Sequence, residues 1–277
     1  MIAEQAMSDL AIESNGIKTS ETSLFGNKVT VGESNGGISY TLHTCTDIHL
    51  TARQKQSATL AIAELLLRLI KHENVGTNAP VTVICLGNRS LTCDSLGPFC
   101  AKKIIATRAF KSINKPLFDS FCKREISVIT PGVTIETGID ALELARACRD
   151  FLKSELIIVP DSLRARSTDR LFSVIQLSSS GIIPGSGVGN HQSELSKQTL
   201  GIPVISIGVP TVVSAQTLVY DVLKDARAEL DNIELSDTLE KRRSFFVTPR
   251  DADLSVKAYA DIISAAINRA FLGITEI

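Results

Sequence analysis

Apolar runs and stretches of helical period alternate through the middle of this chain. Residues 81–86 form a short, β-rich apolar run that ends at Gly87-Asn88, ahead of Asp94-Ser95-Leu96-Gly97-Pro98. Residues 156–159 form a second such run, closed by Pro160 and followed by Asp161-Ser162-Leu163. Each pattern predicts a buried strand, then a turn and a helix start. Leu60, Ala63, Leu67 and Ile70 recur at helical spacing and predict a long amphipathic helix over 52–72. Further helices are expected at 95–107 and 138–152, and further strands at 126–129, 173–177 and 204–209. This βαβα order predicts an α/β fold whose central, mostly parallel sheet is flanked by helices.

The two ends read differently. Residues 1–37 are rich in Ser, Asn, Gly and Thr and suggest a loosely ordered arm, while 38–45 alternates enough to be an edge strand. Residues 218–243 are charged and predict a helix. A closing amphipathic helix is expected at 252–271, with Pro249 near its start and Asp251 as its cap. There is no fixed-period repeat and no linker that demands two domains.

Composition narrows the function classes. The 277 residues, 44% hydrophobic and 21% charged, are ordinary for a globular α/β domain with a substantial core. A formal net charge of −1 argues against a general nucleic-acid or membrane surface. The start carries no basic region followed by an apolar stretch, so no secretory signal is visible. The most apolar stretch, 60–70, contains Glu64 and Arg68 and is too short to span a bilayer. The six cysteines (Cys45, Cys85, Cys93, Cys100, Cys122, Cys148) form no CxxC and no metal-spaced cluster with histidine. A reducing cytoplasm is the expected compartment.

The chemistry-bearing candidates begin with Asp94 and Asp161. Loops at the carboxyl ends of parallel strands line the ligand crevice of an open α/β sheet. Two acids delivered there can share a site, where one pKa rises and the pair divides into acid and base. The plain alternative is that each caps a helix. The loop Ile183-Pro184-Gly185-Ser186-Gly187-Val188-Gly189-Asn190 offers backbone amides to a substrate strand or an oxyanion, or is simply a tight turn. It is not GxGxxG, and no Gly-Lys-Ser/Thr follows. Cys93 beside Asp94 invites a thiol-nucleophile reading. His43, His49, His72 and His191 lie in no supporting motif, although His191 follows the glycine loop. Arg164 and Arg166 either pair with a carboxylate or acidic substrate or lie on a solvated helix face.

Taken together, these segments resemble the germination protease family of spore-forming bacteria. The carrying stretches are Cys85-Leu86-Gly87-Asn88, Thr92-Cys93-Asp94-Ser95-Leu96-Gly97-Pro98, Thr130-Pro131-Gly132-Val133, Asp161-Ser162-Leu163-Arg164-Ala165-Arg166-Ser167, the glycine loop, and Gly208-Val209-Pro210-Thr211-Val212-Val213. The resemblance implies a fold similar to hydrogenase-maturation proteases and an atypical aspartic endopeptidase that uses Asp94 and Asp161 without a cofactor or metal. Asn88, Arg166 and the loop residues Gly185, Ser186, Gly187, Gly189 and Asn190 would face the substrate. It further implies small acid-soluble spore proteins as substrates, the spore core as location, a homo-oligomer, and a zymogen that trims its own N-terminus. Substrates of the family are cut beside an acidic residue and before an apolar–Ala–x–Glu stretch. Asp9-Leu10-Ala11-Ile12-Glu13 has that shape, so Asp9–Leu10 is the expected self-processing bond, and 1–15 forms a propeptide-like arm on a single peptidase domain at 16–277.

This chain departs from the family pattern at Cys93, Ser95, Ser162 and Arg164, at Ile183 where a histidine is usual, and in a shortened stretch around 215–247. An arginine three residues past Asp161 is expected to favour the ionised carboxylate if it lies nearby. Two rival functions stand beside the aspartic peptidase: a metal-dependent peptidase with the same acids as ligands, and a non-catalytic binder of spore proteins.

Overall fold

The computed structural model describes residues 8–14, 16–34, 36–44, 50–122, 124–185, 193–227 and 245–273. The strands are β1 (Lys18–Leu24), β2 (Asn27–Ser34), β3 (Gly37–His43), β4 (Val81–Ile84), β5 (Ile126–Ile129), β6 (Leu156–Ala165), β7 (Val174–Ser178), β8 (Val204–Ser214) and β9 (Phe246–Val247). The helices used below are α1 (Ala52–His72), α2 (Leu96–Ala101), α3 (Arg108–Ile113), α4 (Lys115–Phe121), α5 (Ala141–Leu152), α6 (Ala215–Asp225) and α7 (Ala252–Leu272).

One sheet runs in the order β1-β2-β3-β7-β8-β6-β4-β5, and β9 pairs with β8. The half β8-β6-β4-β5 is parallel, as the βαβα alternation predicts. The other half is antiparallel, so the sheet is mixed. Part of that half comes from the stretch expected to be a loose arm. Phe25 (φ 50°) and Gly26 (φ 80°) turn the chain tightly, and β1 and β2 form a hairpin in register across it. The signal was present in Val29-Thr30-Val31, an alternation that polar composition obscured. In consequence β3 is interior, between β2 and β7, rather than an edge strand.

Strand parity divides the core. Val83, Ile158, Ile175, Leu177, Ile205, Ile207 and Val209 pack with α1 and α7 in one large apolar cluster. On the other face Ile84, Ile157, Val159 and Val204 pack with Ala141, Leu142 and Ala145 of α5. Two of the three covering helices are started by side chains. Thr51 and Gln54 form a capping box on α1, and Asp140 and Glu143 do the same on α5. Asp251 occupies the N-cap of α7, but its side chain makes no capping bond.

Two strands outrun their sequence prediction. The second apolar run continues through Pro160 and Asp161 to Ala165, with no helix after it, because β8 is also long and pairs with it throughout. The register shifts between Leu163 and Arg164, leaving Thr211 of β8 as the extra residue of a bulge. The predicted helix at 95–107 is instead α2, followed by a turn and α3. Of the predicted helix at 218–243, Ala215–Asp225 is helical, and 228–244 lies outside the described residues.

The close approach of α2 to the end of β4 requires Gly97. A Cβ there would lie 2.1 Å from the Leu86 carbonyl oxygen and 2.7 Å from its nitrogen. Backbone cannot yield as a side-chain tip can, so Gly97→Ala must push α2 off the sheet. We expect a loss of about 1–3 kcal/mol, read as a lower urea midpoint with an unchanged slope.

Candidate active site

Asp94 is the last residue of a 3-10 turn, Thr92–Asp94, just past the carboxyl end of β4. The turn is held from both sides. Asp94 Oδ2 accepts the Asn88 amide at 2.9 Å, and the Thr211 hydroxyl of the bulge donates to the Cys93 carbonyl at 2.5 Å. Gly87, at φ 114°, lets the chain pass against Asp94, since a Cβ there would sit 2.1 Å from the Asp94 carbonyl oxygen. The helix cap of α2 is Ser95, so Asp94 is not its N-cap.

Asp161 lies inside β6 rather than at a helix start, and it is 5% exposed. Its Oδ1 accepts its neighbour's amide, Ser162 N–H, at 2.8 Å. The capping alternative therefore fails for both aspartates. The strand ends bring them together: Leu86 N–H donates to the Pro160 carbonyl at 3.0 Å, which sets the Asp94 loop against the Asp161 segment.

Electrostatics treat the two carboxyls unequally. Burial raises Asp94 to about 6, partly offset by the Asn88 amide. Burial raises Asp161 well above the carboxylate range, and the nearby Asp94 charge raises it further; Asp9 adds to this, and the Ser162 amide opposes it. Asp94 thus ionises first, and its charge then holds the proton on Asp161. Cys93 is not an activated thiol, because burial and then the Asp94 charge push it up.

The N-terminal segment at 8–14 is docked beside this pair. Asp9 N–H donates to the Arg164 carbonyl at 3.0 Å, and Arg164 N–H donates to Asp9 Oδ2 at 2.8 Å. Leu10 is fully buried in an apolar pocket of Leu163, Ala165, Val174 and Val213. Glu13 Oε2 accepts Arg166 N–H at 2.7 Å, and Arg166 Nη1 donates to the Glu13 carbonyl at 2.9 Å. Ser8 and Glu13 are also hydrogen-bonded through their side chains. A cleft of about 390 Å3 opens alongside, lined in part by Asp9, Leu163, Gln176, Ser178, Ile183 and Ser206.

Arg164 lies beside a carboxylate, but that carboxylate is Asp9 and not Asp161. The arginine lies on a strand, 8% exposed, and not on a solvated helix face. Three residues from Asp161, it leaves the opposite face of the sheet, and it is not among the groups that act on Asp161; the charge beside it is Asp9. Arg166 follows the end of β6 and is engaged by Glu13. Asn88 serves the site through its amide on Asp94, while its side-chain oxygen accepts Ser90 N–H at 2.8 Å. Gly185 turns at φ 67° two residues past Ile183 of the cleft. Ser186, Gly187, Gly189, Asn190 and His191 lie outside the described residues. Among the described residues no three His, Cys, Asp or Glu side chains gather as a metal site, and no helix is long and apolar enough to cross a membrane.

Sequence reasoning missed Gln176 and Gly208. In register Asp161 and Gln176 both pair with Gly208, from opposite sides. The three form a row across the sheet, with the two polar side chains on one face. The available signal was a polar residue at an inward position, Val174-Ile175-Gln176-Leu177.

Known proteins give this geometry its setting. The profile of the germination protease family matches residues 3–229. The chain is 34% identical to the germination protease of Caldanaerobacter subterraneus subsp. tengcongensis, over 78% of this chain and 74% of that one. It is 35% identical to the germination protease of Clostridium acetobutylicum, over 75% and 70% of the two chains. Among solved structures, the hydrogenase maturation protease HycI of Thermococcus kodakarensis KOD1 aligns at 12% identity and a TM-score of 0.38, covering 72% of this chain and 98% of that chain. Because the family profile spans most of the chain and takes in both Asp94 and Asp161, this chain belongs to the germination protease family and is a peptidase.

Proposed function

We propose that the chain is an endopeptidase that begins the degradation of small acid-soluble spore proteins at germination, using Asp94 as base and Asp161 as acid. The observation that carries this reading is the unequal pair: a carboxyl near 6 beside a buried one that keeps its proton. Ionised Asp94 takes a proton from water as it adds to the peptide carbonyl. Protonated Asp161 delivers one to the leaving nitrogen.

The docked segment supports the same reading of substrate. Asp9-Leu10-Ala11-Ile12-Glu13 has the shape expected of a cut sequence. Its acid, its apolar residue and its glutamate each meet a defined partner in Arg164, the Leu163 pocket and Arg166. On this reading 1–15 is a propeptide-like arm, Asp9–Leu10 is the self-processing bond, and the site is occupied until that bond is cut. The glycine loop would hold the same extended backbone through its amides. Location in the spore core and assembly as a homo-oligomer complete the proposal through the family resemblance.

The test is incubation with a purified small acid-soluble spore protein, with products mapped by mass spectrometry. Asp94→Asn and Asp161→Asn should each lower turnover by about 10²–10⁴-fold while native circular dichroism is retained. Near-normal turnover in either variant would remove that residue from the mechanism.

The pH dependence has a definite sign. Activity should rise as pH passes about 6, when Asp94 ionises, and fall at higher pH as Asp161 loses its proton. A profile flat across this range would contradict the division of roles.

Stability should move against activity. The unfolded Asp94 carboxyl ionises near 3.9, whereas the folded one keeps its proton to about 6. Its contribution is therefore fully favourable below pH 4 and declines between 4 and 6, costing at most about 3 kcal/mol above that range. Asp94→Asn should raise the urea midpoint at pH 7 and leave it unchanged near pH 3.5.

Intact-mass measurement over time reads the arm. Full-length protein should lose residues 1–9 as one fragment, and Asp161→Asn should stay uncut. A wild-type chain that degrades added substrate yet never clips itself would show that processing is not required.

A further inference from the structure

Strand β7 alternates, with Ile175 and Leu177 in the main core cluster and Val174, Gln176 and Ser178 on the other face. An amide side chain that is only 6% exposed on such a strand must find partners for its polar atoms. Gln176 finds them in the docked segment. Its Oε1 accepts the Ala11 amide at 2.6 Å, and its Nε2 donates to the Asp9 carbonyl oxygen at 3.1 Å. One side chain thus grips the backbone on both sides of Leu10, whatever side chains that backbone carries. The carbonyl it holds belongs to the Asp9–Leu10 peptide.

The register places this donor opposite the acid. Gln176 and Asp161 flank Gly208 on the same face, a separation of roughly 10 Å between Cα atoms from two strand spacings. Gly208 keeps the space between them for Leu163, since a Cβ on it would come 2.5 Å from Leu163 Cγ. Leu163 is in turn part of the pocket that holds Leu10. The residue after the bond is therefore seated, the carbonyl before it is held by an amide hydrogen, and the protonated carboxyl stands across one glycine.

We propose that Gln176 is a catalytic residue that polarises the scissile carbonyl and stabilises its developing negative charge. This rests on the reading above in which Asp9–Leu10 is a substrate bond. A water oxygen bonds to the carbonyl carbon, one water proton passes to Asp94, and the carbonyl electron pair moves onto the oxygen that Gln176 holds. The tetrahedral centre then re-forms its carbonyl, and the C–N bond breaks. The departing electron pair stays on the leaving nitrogen, which takes the proton of Asp161. Transfer of the proton from Asp94 to Asp161 restores the pair, and the sum is one peptide plus one water giving one acid and one amine. Gln176 gives up no proton. Its contribution is a donor preorganised by its own burial on the strand.

The plain alternative is that Gln176 only fastens the arm, and the two roles predict opposite directions. Full-length wild type, Gln176→Met and Gln176→Glu are given a synthetic peptide of residues 5–16, and products are followed by mass spectrometry. The methionine removes donor and acceptor at similar length; the glutamate keeps an acceptor for the Ala11 amide and loses the donor. Both should cut the added peptide with kcat lower by about 10²–10³-fold, and the methionine, which also gives up the bond to the Ala11 amide, should raise KM besides, with circular dichroism and the urea midpoint confirming the fold. If Gln176 is only a fastener, its loss frees the cleft, and turnover of the peptide stays at or above the wild-type rate; that result overturns the proposal while leaving the aspartate pair intact. Failure of wild type to cut between Asp and Leu, in the arm or in the peptide, overturns the substrate reading itself and this proposal with it.

Discussion

A carboxyl group set in the interior of a β-strand is the constraint on which the rest of this molecule turns. Asp161 stands at 5% exposure in β6, among strands whose neighbouring positions are apolar. A buried ionised carboxylate without a cation is costly, so the group keeps its proton. Burial is the larger cause, and the Asp94 charge adds to it by opposing ionisation of Asp161 further. The pair does not hold together by attraction. The surrounding fold must force it.

The forcing is done by backbone and by small residues. Gly87 and Gly97 let the Asp94 turn and α2 press against the end of β4 at distances no Cβ would permit. The bulge in β8 turns the Thr211 hydroxyl to the Cys93 carbonyl, tying the turn to the strand next to Asp161. Thr248 in turn donates to the Thr211 carbonyl at 2.8 Å, so the stretch after β9 braces the same point. On the far side α1 and α7 supply an apolar cluster large enough to offset the unfavourable placement of two acids.

The same face explains the run of buried polar residues that would be hard to justify in an ordinary core. Ser39, Thr41, Gln176, Ser178 and Ser206 are all buried on adjoining strands. Several of them line the cleft or bond to the docked segment. The segment's backbone is a repeating array of donors and acceptors, and the face it lies on supplies polar atoms at strand spacing to meet it. The Leu10 pocket supplies the apolar contact that such a face otherwise lacks.

Much of this could be read from the residues in order. The alternation of apolar runs with helical periods located β4, β5, α1, α5 and α7 closely, since each is fixed by local burial pattern and, for α1 and α5, by its own capping box. Asp94 and Asp161 were marked by their places after apolar runs, and the family by the motifs around them. What the order of residues did not settle was everything set by pairing between distant segments. The hairpin of β1 and β2 looked like a polar arm because half of its residues face water. Strand β6 seemed to end at Pro160, where composition changes, yet a partner strand 47 residues or more away in register, from Ile157↔Val204 on, carries it to Ala165. Closeness in sequence left Arg164 either beside Asp161 or on a solvated helix face, but strand parity sends the two to opposite faces of the sheet. Gln176, 15 residues beyond Asp161 in the chain, comes opposite it only because both pair with Gly208. Local pattern records which residues prefer burial; only the sheet's register decides which of them meet.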